Sequence, residues 1–278
     1  TGAAGFIGKH LISHLKTNKY KVIELSHSDG DISSPDLFKN LPKVSYVIHL
    51  AGRHFVPDSW KEPREFLRVN LLGTQNVIDF CLKHDCKLIF SSAYLYGIPV
   101  SNPISENHEI IPNNPYGLSK YFSEQLLEFY SKNKGLKAIA LRLFNVYGPN
   151  QKKNYLIPSI FDQIEAGKDI KVNNFFPRRD YIYILDVIKS FLLAMDYSSN
   201  FDIFNIGSGT SHSVEELLKK IKKITKTNAN IVSREIYREN EVMDAVADIR
   251  AAKKKLGWQP QYTLDDGLRE IWSQRNRS

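Results

Sequence analysis

The chain has 278 residues, 42% hydrophobic and 24% charged, the balance of an ordinary folded chain, which excludes disordered, fibrous and repeat architectures. No apolar run approaches the ~20 residues that a membrane-spanning helix requires, so no span is expected. Lys and Arg outnumber Asp and Glu by 38 to 30, and the net charge of +8 suits an anionic partner such as a nucleotide, a phosphorylated metabolite or a nucleic acid.

In chain order, Gly2, Gly5 and Gly8 precede Leu11, Ile12 and Leu15 at helical spacing. They read as a glycine turn entering a helix whose positive end receives phosphate. No basic-then-apolar leader is visible, and no hydrophobic strand stands ahead of Gly2, so the sheet is expected to lack its first strand in the sequence given. Residues 20–25 and 44–50 read as strands, 66–81 as a helix, 87–90 as a strand, 116–134 as a helix and 136–143 as a strand. Strands separated by helix-length segments predict an α/β fold, a doubly wound parallel sheet with helices on both faces.

After Gly148 the alternation weakens, with Pro149, Pro158 and Pro177 in loops, before a short strand at 204–206. The expected organisation is a dinucleotide-binding domain over 1–148, to which 180–207 return, and a smaller substrate-binding region from 149–179 and 208–278. The run Lys219–Lys223 interrupts Val214, Leu217, Leu218, Ile221 and Ile224, which have helical spacing. A solvated helix face is favoured there over nucleic-acid contact. Cys81 and Cys86 have no second pair to complete a metal site, and two reduced thiols suit a cytoplasmic chain.

The chemistry concentrates at Tyr116 and Lys120, four apart at the start of a predicted helix and therefore on one face. A lysine ammonium beside a phenol favours the phenolate, so Lys120 is expected to lower the Tyr116 pKa from ~10. Such a pair exchanges a proton with a sugar or alcohol hydroxyl. Ser92, at the end of an apolar strand where open α/β sheets bind ligands, is placed to hold the reacting oxygen.

Together these pieces resemble the extended short-chain dehydrogenase/reductases, in their nucleotide-sugar epimerase/dehydratase branch. The opening Thr1–Gly8 resembles that family's TGxxGFIG turn, and His49-Leu50-Ala51-Gly52 its HLAA segment. His54, Val56 and Ser59, then Asn70, Gly73 and Thr74, match its next stretch, and the run from Phe90 to Gly97 resembles its strand ending in VYG. Arg142-Leu143-Phe144-Asn145-Val146-Tyr147-Gly148-Pro149 is similar to RxFNVYGP, and the run Arg179 to Asp186 to RDFVYVxD. Residues 204–209 are similar to YNIGSG, and Arg238, Ala247-Asp248 and Lys255-Leu256-Gly257-Trp258 match the closing segment.

The resemblance implies a Rossmann-like fold and a catalytic trio of Ser92, Tyr116 and Lys120. It implies NAD or NADP held by Gly2, Gly5, Phe6, Ile7, Gly8, Ser26, Asp31, Ile32, Leu50, Ala51, Gly52 and Asn70, with Tyr116 and Lys120 at the nicotinamide end. Asp31 would bond the adenine amine. A nucleotide-diphosphate sugar would face Ser92, Asn145, Arg179 and Arg238, the arginines matching phosphate oxygens. No metal, nucleic-acid or membrane partner is implied, and the family commonly dimerises through a helix pair that would include 116–134.

Two departures from the pattern narrow the function. Ala93 and Tyr94 stand where dehydratases of the branch carry an Asp-Glu pair, which disfavours dehydration. Leu25-Ser26-His27-Ser28 stands where NAD users place an acid for the ribose hydroxyl, which leaves NADP open although no Arg is present. The leading expectation is an epimerase acting at sugar carbon 4 through a transient ketone. The alternative is an NADPH-dependent 4-keto-sugar reductase, which the short segment before Asp31 favours. Retention of Tyr116 and Lys120 argues against a non-catalytic dinucleotide-binding module.

Overall fold

The computed structural model describes residues 1–276. The first half runs α1 (Phe6–Thr17), β1 (Tyr46–His49), α2 (Val56–Lys61), α3 (Pro63–Leu67), α4 (Gly73–His84), β2 (Lys87–Ala93), α5 (Pro115–Lys134) and β3 (Ala138–Leu143). Then come β4 (Asn145–Tyr147), α6 (Leu156–Glu165), β5 (Ile170–Val172), β6 (Arg178–Tyr183), α7 (Ile184–Asp196) and β7 (Phe201–Ile206). The chain closes with β8 (Ser211–Ser213), α8 (Val214–Thr225), β9 (Ile231–Ser233) and α9 (Leu264–Arg275).

The main sheet has the order β1-β2-β3-β7, every pair parallel. Its strands carry apolar residues on both faces, as a parallel sheet covered by helices requires. Leu88 and Phe90 of β2 pack with Val77 and Ile78 of α4 and Leu127 of α5. The intervening Ile89 turns to the opposite face, in one cluster with Leu11 and Leu15 of α1 and Val187 and Phe191 of α7. In register, Ser92, Arg142 and Asn205 form a row across β2, β3 and β7. A second sheet, β4-β6-β8, and a two-stranded pair, β5-β9, lie beside it.

Three sequence expectations need revision or refinement. Residues 20–25 are not a strand, because a strand exists only with a ladder partner, and none is placed beside them among the described residues. Instead Leu25 O accepts from Ala3 N at 3.0 Å, while Thr1 O accepts from Leu50 N at 3.2 Å, so the glycine turn itself bridges this segment to the end of β1. The helix expected over 66–81 is interrupted by a π-helical turn, Arg68–Leu72, between α3 and α4. Such turns often sit at functional sites. The strand at 204–206 is longer, and joins the main sheet as β7.

α8 buries Val214, Leu217, Leu218 and Ile221 while Lys219 pairs with Glu215 and Lys220 with Asp265, so its lysines cover a packed helix. Cys81 and Cys86 are buried free thiols. No helix among the described residues is long and apolar enough to cross a membrane.

Candidate active site

The glycine turn is locked onto the end of β1. A Cβ on Gly2 would lie 2.7 Å from Ala51 N, and Gly2 adopts φ +76°, so only glycine lets the turn press against Leu50 and Ala51. A Cβ on Gly8 would lie 2.2 Å from Gly2 O, which fixes the close approach of α1 to the turn. The Thr1 hydroxyl meets His49 Nδ1 at 2.7 Å, and His49 Nε2 meets Thr74 Oγ1 at 3.2 Å. Burial holds that imidazole well below its ordinary pKa, so it serves as a neutral bridge between the turn and α4. The first turn of α1, at Phe6 and Ile7, has Gly5 as its N-cap, no side-chain cap and no acidic residue. Its free amides form a cradle that fits a pyrophosphate.

Asp31, expected at the adenine, accepts from Ser33 N at 2.9 Å and from Arg68 Nη1 at 2.5 Å. These donors, Arg68 first, draw its carboxyl down to about 2. Ile32 is a core residue beneath Gly73. Ser26 lies at the end of the segment bonded to Ala3, and Asp29 folds back onto it, accepting from Ser26 N and Oγ, each at 2.8 Å. The four-residue window 25–28 holds no acid, but the turn after it returns one. A capping-box pattern from Ser26 to Asp29 was the sequence signal for this.

The residues expected to react stand on α5 and β2. Asn114 caps α5 by accepting from Gly117 N at 2.8 Å, and Pro115 occupies its first position, which sets Tyr116 and Lys120 in its first turns. Lys120 Nζ donates to Ser91 O at 2.8 Å and lies 4.5 Å from the centre of the Phe90 ring. A Cβ on Gly52 would come within 3.6 Å of that ammonium, so the loop after β1 closes against it. Burial draws Lys120 down to about 8.

Burial also pushes the Tyr116 phenol above its ordinary value, with neighbouring Tyr155 adding to the rise. This corrects the expectation that Lys120 lowers it. In a buried site the charged form of each group is disfavoured, and the ammonium is turned to the β2 carbonyl and the Phe90 ring.

Ser92 is almost fully buried, and its hydroxyl donates to Glu124 Oε1 at 2.5 Å. Asn70, expected at the cofactor, sits in the π-helical turn with its amide engaged within the protein. It accepts from Arg53 N at 2.7 Å and donates to Arg53 O at 2.9 Å and Ser119 Oγ at 2.8 Å. It thereby ties the loop that follows Gly52 to α5. Tyr155 stacks on His54, with ring centres 6.4 Å apart and planes 6° apart, and meets Phe55 edge-on. Nothing in the local sequence pattern signalled this aromatic pair.

Arg179 donates to Val242 O and pairs with Glu241, whose second oxygen lies 3.9 Å from Arg238 Nε. The two arginines thus converge on one carboxylate. Arg238 is largely exposed and lines a cavity of about 270 Å³ with Asn174, Phe176, Tyr237 and Met243. Arg179 is close enough to Tyr94, two residues beyond Ser92, for its charge to oppose the burial that raises that phenol. Asn145 donates to Asp180 O at 3.2 Å, next to Arg179. Lys120 and Gly52 therefore gather beside Ser91 and Ser92 at the C-terminal end of β2, Tyr116 stands one turn before Lys120 on α5, and Arg179 lies near Tyr94.

The model of the NAD dependent epimerase/dehydratase family matches residues 1–207. The crystal structure of the UDP-glucose 4-epimerase of Thermotoga maritima with UDP-glucose superposes with a TM-score of 0.91, at 31% identity over 99% of this chain and 97% of that one. Rhizobium meliloti UDP-glucose 4-epimerase is 30% identical over 99% of this chain and 96% of its own. Escherichia coli dTDP-4-dehydro-6-deoxyglucose reductase is 32% identical over 98% and 95%. With the glycine cradle, the Tyr116–Lys120 helix and a match through three quarters of its length, the chain belongs to the NAD dependent epimerase/dehydratase family.

Proposed function

We propose that the chain is an NAD-dependent nucleotide-sugar epimerase acting at carbon 4, with UDP-glucose and UDP-galactose as its first substrates to try. The observation that carries this reading is Lys120, one turn after Tyr116 on α5, held at the C-terminal end of β2 on Ser91 O and against the loop of Gly52. Oxidised NAD supplies a hydride acceptor and a positively charged ring when bound. Tyr116 takes the proton of the sugar hydroxyl, and a nearby positive charge favours the phenolate that burial alone disfavours. Lys120 holds the nicotinamide ribose, and Ser92 meets the reacting oxygen. Asn145, Arg179 and Arg238 receive the diphosphate sugar, with Glu241 keeping the arginines aimed until it arrives.

Asp29 favours NAD over NADP, since a carboxylate beside Ser26 accepts from a ribose 2′-hydroxyl and repels a 2′-phosphate. A resident NAD suits a reaction that returns its hydride. Ala93 brings no acid to the site, and the Tyr94 hydroxyl is spent on Gly97 O, which supports epimerisation over dehydration. The reductase reading keeps the short segment before Asp31 and the likeness to the Escherichia coli enzyme. We further place residues 1–148 and 180–207 in the cofactor half, 149–179 and 208–278 in the substrate half, and the protein in the cytoplasm.

Turnover with cofactor in trace amount separates the readings. With NAD and no reductant, the two UDP-sugars should interconvert. If neither is converted, while a nucleotide 4-keto-sugar is reduced with one NADPH consumed per turnover, the reductase reading replaces this one.

A further inference from the structure

Behind Ser92 lies a buried polar chain that the reaction as described does not use. Glu124 and Arg142 are 1% and 2% exposed, so neither is a surface ion pair. Arg142 donates through Nε and Nη2 to both oxygens of the Glu124 carboxylate, at 3.0, 3.2 and 2.7 Å. Its remaining nitrogen, Nη1, donates to the Tyr96 hydroxyl at 2.8 Å and to Glu106 O at 3.1 Å. Tyr96 in turn donates to Asn205 Oδ1 at 2.7 Å.

Every proton in this chain has one direction. A guanidinium only donates, so both carboxylate oxygens accept, and the Ser92 hydroxyl is left as the donor to Oε1. The strand row Ser92, Arg142 and Asn205 fixes the spacing, and Glu124 reaches the row from α5, four residues beyond Lys120. The helix that carries the proton-transfer pair therefore also carries the group that orients the serine.

We propose that Glu124, aimed by Arg142, is a positioning residue that holds Ser92 by its proton, so that Ser92 meets the substrate only as a hydrogen-bond acceptor. The inference rests on the reading above that Ser92 faces the reacting hydroxyl. Its consequence is a division of labour. A sugar alcohol, having a proton to give, is received by Ser92. A keto oxygen needs a donor, which Ser92 cannot supply, so the ketone is served by the Tyr116 proton alone. Ser92 thus aligns the alcohol for the step in which Tyr116 takes its proton, and the loss of that alignment is read in kcat.

The test is a double-mutant cycle on kcat and KM with the parent, Glu124→Asp, Ser92→Ala and the double variant. Asp keeps the charge opposite Arg142 and withdraws the carboxylate from Ser92 by one methylene. Glu124→Asp is expected to lower kcat about tenfold, the weight of one charge-assisted hydrogen bond, with KM changed less than about threefold. In the Ser92→Ala background the same substitution should cost nothing further, because the group it acts through is gone. Equal losses in both backgrounds overturn the inference and leave Glu124 a structural partner of Arg142. A Ser92→Ala variant at the parental rate removes Ser92 from the reaction itself, a different failure. Melting curves and NAD binding are read on each variant. If Glu124→Asp is unfolded at assay temperature, Arg142→Lys replaces it in the cycle, keeping the charge but losing the fork that aims Glu124, with the same coupling expected.

Discussion

Tyr116→Phe should lose about 10²–10⁴-fold in kcat, the range for a single general acid–base group, while NAD affinity stays near the parental value. The phenol oxygen is the one atom removed. The ring keeps its edge-on packing against Phe66, with centres 6.4 Å apart, so the start of α5 keeps its shape. On the proposed reading the cofactor contacts come from the glycine turn, the loop of Gly52 and Lys120, none of which the substitution removes. Kinetics and NAD titration on the same preparation check both halves. A variant within about threefold of the parental rate takes Tyr116 out of its role.

The second large effect falls on stability. Arg142→Leu leaves the Glu124 carboxylate buried with no counter-charge, and removing one partner of a buried pair costs about 3–5 kcal/mol. Against a total of about 5–15 kcal/mol, that is about a fifth or more of what holds a domain folded. Urea unfolding should show a lower midpoint at an unchanged slope, the sign of lost stability without a change in the surface exposed. A loss below about 1 kcal/mol, the range of an exposed pair, contradicts the burial on which the row of Ser92, Arg142 and Asn205 depends.

What could be read from the residues was whatever depends on neighbours in the chain. Alternating apolar segments marked β2, α5 and β3, and the four-residue spacing of Tyr116 and Lys120 placed both on one helix face. Residues 20–25 have the composition of a strand, but pairing is a property of two segments and their register, which composition does not contain. The expected lowering of Tyr116 by Lys120 failed for the same kind of reason. Spacing puts two side chains on one face, yet which way an ammonium turns depends on the carbonyl of Ser91 and the ring of Phe90, from another element. Glu124 stood in plain sight, eight residues after Tyr116 on the same face. Its meaning required Arg142 and Ser92, brought to it by the sheet. Asp29 needed only its own turn, and the Ser26-to-Asp29 spacing could have disclosed it.

The central claim is that one hydride leaves carbon 4 and returns to that carbon within a single bound cofactor. UDP-glucose carrying deuterium at carbon 4, incubated with the NAD-loaded protein in ordinary water, addresses it through the label in the product. Deuterium should be retained at carbon 4 of UDP-galactose, with no label lost to solvent and no net formation of reduced cofactor. UDP-galactose formed with hydrogen from water at carbon 4, or no UDP-galactose at all from a folded protein that binds NAD, would contradict it.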